Sequence, residues 1–334
     1  MNWLRRRLGL VPPPEAAATS GVMPASVPEI TASSEPLPPP EPSEPPVPFE
    51  PRGELAALFF LHIPKTSGSS VNRLLESVFG GGNMISHAEY LLPKLLDRTE
   101  PTRQVDCVSA HFPLCRWALY RGSDAYARAT ILRDPWERLV SHVNWTNRYN
   151  TGEPLPTSGR GAGATRCVVA ALAETDFQRR DSVQRLFDIV QSEPEFILFD
   201  NLQVRMLTTG HPQSDLQRPD ANAVGRALRS LRKFAAFGLC EDQPAFQARL
   251  FAAIGSTAAP EPIRENIGLV PVLTPDNDVA REVFAPWVQL DQVLYNDAVT
   301  MLRTRDRRAR AAQASETVAG PVFGVAPEKG DVTE

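Results

Sequence analysis

Along the chain, unbroken apolar runs alternate with stretches in which apolar residues return every three or four positions. LAALFFLHI, residues 55–63, is apolar at successive positions rather than at alternate ones, which predicts a strand buried on both faces. Val71, Leu74, Leu75 and Val78 then recur at the spacing of one helical face, and FGGGN, 79–83, ends that helix with glycines. QVDCVSAHF (104–112), YARATILRD (126–134) and KFAAFGLCE (233–241) predict three further strands. Helical patterns fill much of 165–232 and recur at 243–254 and 278–304. This alternation predicts an α/β domain, a mainly parallel sheet flanked by helices, with ligands bound beyond the carboxyl ends of the strands.

The pattern fades at both ends. Residues 11–52 are rich in Pro, Glu, Ala and Ser, too poor in apolar surface to offset the entropy of ordering. We expect a disordered Pro-rich arm over 1–52, a folded domain over 53–306 and a flexible polar tail over 307–334. MNWLRRRLGL, 1–10, reads as a frayed terminus or as a short basic helix touching a membrane surface, and the stretch 151–164 as a loop without apolar anchors. A formal charge of −4, spread over both signs, does not point to nucleic acid. The four cysteines show neither C-x-x-C nor zinc-ligand spacing and read as reduced thiols, and no run is long enough to cross a bilayer. A cytoplasmic protein without a metal is expected.

HIPKTSGSS, 62–70, lies between the first strand and the first helix. It is not the nucleotide-hydrolase loop, whose lysine follows its glycines. Even so, the unpaired N–H groups of a helix start favour an anion. Gly68 admits close backbone approach, Thr66, Ser67, Ser69 and Ser70 add hydroxyls, and Lys65 adds charge at the mouth. In TILRDPWERLVSHVNW, 130–145, folding accounts for Asp134 as N-cap, Pro135 at the first helical position, Glu137 as the far half of a capping box, and the apolar stripe Trp136, Leu139, Val140 and Val143. Arg133 and Ser141 lie off that stripe and together offer a second anion site, with the guanidinium as a fork. Two anion sites on one sheet edge suit a nucleotide with phosphates at both ends.

HIPKTSGSS resembles the 5′-phosphosulfate loop of sulfotransferases, and LRDPWERLVS resembles their 3′-phosphate motif. The chain is similar, over roughly residues 55–300, to the family of the heparan sulfate 2-O- and 6-O-sulfotransferases and their bacterial relatives. NLQVRMLTTG (201–210) and, more weakly, IRENIG (263–268) also resemble family segments. Where relatives commonly read Lys-Thr-Gly-Gly-Thr-Ser, this chain has Ser67 for the first Gly and Ser69 for the second Thr. The resemblance implies a P-loop-kinase-like sulfotransferase fold. It implies 3′-phosphoadenosine 5′-phosphosulfate (PAPS) as co-substrate, no metal, and a hydroxyl acceptor, such as one on a glycan. It also implies a histidine base in a strand-end segment. The membrane anchor of the Golgi relatives is absent, which favours a soluble bacterial enzyme.

Sulfuryl transfer needs a cation at the bridging oxygen and a base for the acceptor proton. Lys65 suits the first role, and His111, at the end of the second long strand, the second. His62 suits a structural place or a phosphate contact, His142 a surface position, and His87 and His211 carry no assignment. Arg205 either binds an anionic acceptor or braces the fold; Arg264 is a possible 3′-phosphate contact; Asp200 and Glu241 are possible second bases. Two other readings remain open: a nucleotide-dependent phosphotransferase, which would need magnesium, and an inactive nucleotide-binding scaffold.

Overall fold

The computed structural model describes residues 55–90, 105–120, 123–156, 161–208, 218–257 and 271–318, with side chains to 311. Five parallel strands form one sheet in the order β2-β3-β1-β4-β5. They are β1 (Leu58–Leu61), β2 (Met84–Ile85), β3 (Cys107–Ala110), β4 (Ala127–Leu132) and β5 (Ala236–Leu239). The helices are α1 (Gly68–Phe79), α2 (Leu114–Trp117), α3 (Pro135–Asn147), α4 (Ala162–Ala173), α5 (Arg180–Gln191), α6 (Leu202–Leu207), α7 (Ala221–Leu231), α8 (Gln243–Ile254) and α9 (Asp278–Val318). The expected P-loop-like α/β architecture is the observed one.

β1 is central and every one of its residues is buried. Side chains alternate across a strand, so β1 serves two cores. Leu58 and Phe60 pack with Val71, Leu74, Leu75 and Phe79 of α1 and with Phe246, Leu250 and Ile254 of α8. Phe59 and Leu61 face the opposite layer, with Trp117 of α2 and apolar residues of α6, α7 and α9. The rings of Phe59 and Trp117 stack at 4.0 Å. A third cluster has no strand in it. Trp136, Leu139, Val140 and Val143 of α3 meet α4, α5 and Trp287 of α9. That is the stripe the sequence predicts for α3.

All ladder pairs are parallel, so the five carboxyl ends share one edge. Leu61 lies opposite Ala110 on one side and Thr130 on the other. The next residues along the chain, His62, His111 and Arg133, therefore gather there.

Two expectations are adjusted. α9 continues to Val318, well past the tail boundary expected at 306. Arg, Ala and Gln are good helix formers, and a polar helix shows no apolar stripe in the sequence. The second half of 151–164 enters α4 at Ala162, while 157–160 lie outside the described residues. The arm at 1–52, His211 and Arg264 also lie outside them.

Candidate active site

β1 gives way to a turn in which Lys65 and Ser67 both adopt positive φ, 69° and 65°. Left-handed backbone at non-glycine residues carries strain, and such strain is concentrated at functional sites. The turn delivers the chain into α1, whose N-terminus no side chain caps. Its first N–H groups therefore point outward with the positive end of the helix dipole.

The loop's hydroxyls divide into two sets. The Thr66 hydroxyl donates to Ile63 O at 2.9 Å and is buried, so it closes the turn rather than facing a ligand. Ser67 Oγ lies 2.8 Å from Cys240 Sγ and accepts from Gln243 Nε2 at 3.2 Å, tying the loop to the end of β5. Ser69 is exposed and Ser70 half-buried at the mouth. Gly68 is required for a reason internal to the fold. A Cβ there would lie 1.9 Å from Cδ2 of the buried His62 ring. The close approach expected of Gly68 is thus to His62. Asn72 Nδ2 lies 3.5 Å from Nδ1 of that ring, with its own amide oxygen taken by the Ser109 hydroxyl at 2.7 Å. Burial above all, with Lys65 close by, holds His62 far below its ordinary pKa, so it is neutral. That is the structural role, not the phosphate contact.

Lys65 is half-buried, with Nζ 5.9 Å from the Trp145 ring centroid. Burial, then Arg133 and Arg148, pushes its pKa down to about 8. Arg133 leaves β4 beside the loop, where Nη1 donates to Lys65 O at 3.4 Å and Nη2 pairs with Glu137 at 3.2 Å. The pairing diverts Glu137 from the expected capping box, of which only the half from Asp134 to the Glu137 N–H forms, at 3.0 Å. Gln203 fixes the Arg133 backbone, accepting from its N at 3.0 Å and donating to its O at 2.9 Å. Among the described residues no hydrogen bond joins Ser141 to Arg133; Ser141 is half-buried on α3, two turns beyond the cap.

Arg148, missed in the sequence, completes this side. Its guanidinium lies 4.0 Å from the Trp145 ring centroid, and its buried Nε has no hydrogen-bond partner. Trp145 and Arg148 follow Ser141 at the four- and seven-residue spacing of one helical face, which was the available signal. Three cations thus crowd an uncapped helix start.

Histidines gather on the other side. The His111 ring lies 3.8 Å from that of His62 and 5.2 Å from that of His87. His111 Nδ1 is 2.8 Å from His62 O, a contact in which only the nitrogen can donate. That leaves Nε2 with its lone pair. The His111 backbone N–H donates to Glu89 Oε2 at 3.0 Å. Burial lowers the His111 pKa, while Glu89 opposes the shift. Glu89, unremarked in the sequence, follows β2, a two-residue strand too short for any periodicity to reveal.

The remaining candidates are structural. Arg205 is buried, donates from Nε to Asp200 O at 2.7 Å and pairs with the Asp200 carboxylate. This corrects the acceptor-binding option for Arg205 and the base option for Asp200. Glu241 accepts from the Asp134 N–H at 2.8 Å and from the Tyr295 hydroxyl at 3.0 Å, bracing the start of α3. His142 is not at the surface but buried, 3.2 Å from the Arg138 guanidinium, with its pKa well below the ordinary value through burial and Arg138. All four cysteines are free thiols, and no helix among the described residues is long and apolar enough to cross a membrane.

No protein-family model matches the chain, and no curated protein matches it.

Proposed function

We propose that the chain is a PAPS-dependent sulfotransferase acting on an acceptor hydroxyl, such as one on a glycan. The observation that carries this reading is the convergence on His62. The His111 ring lies 3.8 Å from that of His62, and Lys65 follows His62 by three residues with Arg133 donating to its carbonyl at 3.4 Å, so a base and two cations meet around one buried ring. The residues present suit a polyanionic donor. The α1 N-terminus is uncapped, and Lys65, Arg133 and Arg148 bring three positive charges, with the buried Arg148 Nε lacking a partner.

The bound donor supplies an activated sulfuryl group whose departure leaves adenosine 3′,5′-bisphosphate. Lys65 then meets negative charge as it develops on the bridging oxygen, which lowers the barrier more than it aids binding. His111 takes the acceptor proton on Nε2 and is held in the needed tautomer by the His62 carbonyl. Arg133 and Arg148 serve the nucleotide's phosphates. The unfavourable crowding of three cations is relieved when an anion arrives.

Titration calorimetry with adenosine 3′,5′-bisphosphate, AMP and magnesium–ATP tests the reading, followed by radiosulfate transfer from PAPS to a panel of glycans. We expect the bisphosphate to bind most tightly, without magnesium, and label to reach a hydroxylated acceptor. Preference for magnesium–ATP, or no bisphosphate binding, would sink it.

A further inference from the structure

We propose that His87, Glu89 and His111 form a binding site for a divalent transition-metal cation of the zinc class. Each offers one donor atom, and the three donors lie within 4.8 Å of one another. Two imidazoles and one carboxylate form a donor set that takes zinc, with a fourth position left to water or another ligand. Around such an ion, with bonds of about 2.0–2.2 Å, tetrahedral donors stand roughly 3.3 Å apart. His87 Nδ1 and Glu89 Oε1 are already 3.0 Å apart. His87 is the exposed member of the three, and Glu89 and His111 are partly buried.

The surroundings are those of prepared ligands. A metal-bound histidine ordinarily donates its other ring N–H to a carbonyl or carboxylate, which fixes the tautomer. His111 does so, from Nδ1 to His62 O at 2.8 Å, so Nε2 is the ligand atom. Glu89 is held through its second oxygen by the His111 backbone N–H at 3.0 Å, leaving Oε1 beside His87. His87 itself sits at φ 57°, in the left-handed region. Its contact with Glu89 holds the side chain over the turn after β2. His87 also lines a cavity of about 370 Å³, with Ser69, Asn72, Arg73, Glu76 and Ser86 among others.

Cation binding has a consequence for transfer that rests on the sulfotransferase reading. The ion would occupy the same Nε2 lone pair that accepts the acceptor proton. The site is therefore inhibitory, and transfer should be slowed by micromolar zinc and restored by a chelator.

The binding itself is tested without donor or acceptor. The full chain is stripped with a chelator and titrated with Co(II), followed by visible ligand-field absorption, and with Zn(II) by calorimetry. We expect one cation per chain and visible bands typical of four- or five-coordination. His87→Ala and Glu89→Gln, checked for unchanged circular dichroism, should weaken binding by at least about 10–100-fold, the loss seen when even an outer partner is removed. Absence of saturable binding, or full-strength binding in His87→Ala, overturns the inference whether or not the bisphosphate binds. Metal binding by a chain that ignores the bisphosphate would leave the metal site standing and remove the transferase reading instead.

Discussion

The two halves of the strand-end edge are built on opposite electrostatic plans. Toward β4 and α3, Lys65, Arg133 and Arg148 are packed close enough that burial and mutual repulsion depress the Lys65 pKa to about 8. Toward β2 and β3, His62 and His111 are pushed by burial toward the neutral form. One half stores unfavourable like charge and invites an anion. The other keeps imidazole lone pairs available and invites a proton or a metal. His62 is the partition between them, and its neutrality keeps the halves from repelling each other further.

The largest effect that would separate the halves is expected from His111→Asn. Transfer should fall about 10²–10⁴-fold, the usual worth of a positioned base, with bisphosphate affinity unchanged. Near-parent turnover would remove the proton-accepting role from this half. Lys65→Ala should cost about 10²–10³-fold in kcat, as loss of one transition-state donor does, and little in bisphosphate affinity. Equal losses in rate and affinity, measured by single turnover and calorimetry, would make Lys65 a binding residue only.

Gly68→Ala attacks the partition. The new methyl group meets the His62 ring, and overpacking of this kind costs about 1–3 kcal/mol in denaturant unfolding. His62→Ala should cancel part of that cost in the double variant, because the two positions touch. Strict additivity would mean that the clash is relieved elsewhere. The smallest effect is in pH. Lys65 loses its charge as pH rises through about 8, so kcat/KM should fall on the alkaline side. Arg148→Ala removes one of the cations that lower this pKa, so the alkaline limb should move to higher pH. A limb that stays in place would show that Arg148 does not act on Lys65.

Legibility followed the strength of local signals. β1, β3, β4, β5 and the start of α1 were readable because continuous apolar runs and a helical repeat leave marks within a few residues. β2 was not, since Met84–Ile85 is too short for a pattern, and His87 and Glu89 went unassigned with it. Lys65 was legible as a loop residue, and Arg133 and His111 as strand-end residues. The fates of Thr66 and Ser67 were not, because Ile63 O, Cys240 and Gln243 compete for their hydroxyls, and two of those partners lie far along the chain. Arg205 and Asp200 were ambiguous although they pair with each other only five residues apart. A charged residue's partner decides whether it braces or binds, and the sequence does not display partners.

The contact between Gly68 and His62 means that the loop is not a cassette. Grafting Lys65 to Ser70 onto the first strand of another parallel sheet would transfer the backbone sequence without the imidazole that seats against Gly68. The recipient would also need Asn72 and Ser109, one helical turn and one strand away, to hold that imidazole. The smallest transplantable unit is therefore β1, α1 and β3 together, and any homologue that changes one of His62, Gly68 or Asn72 is expected to have changed the others as well.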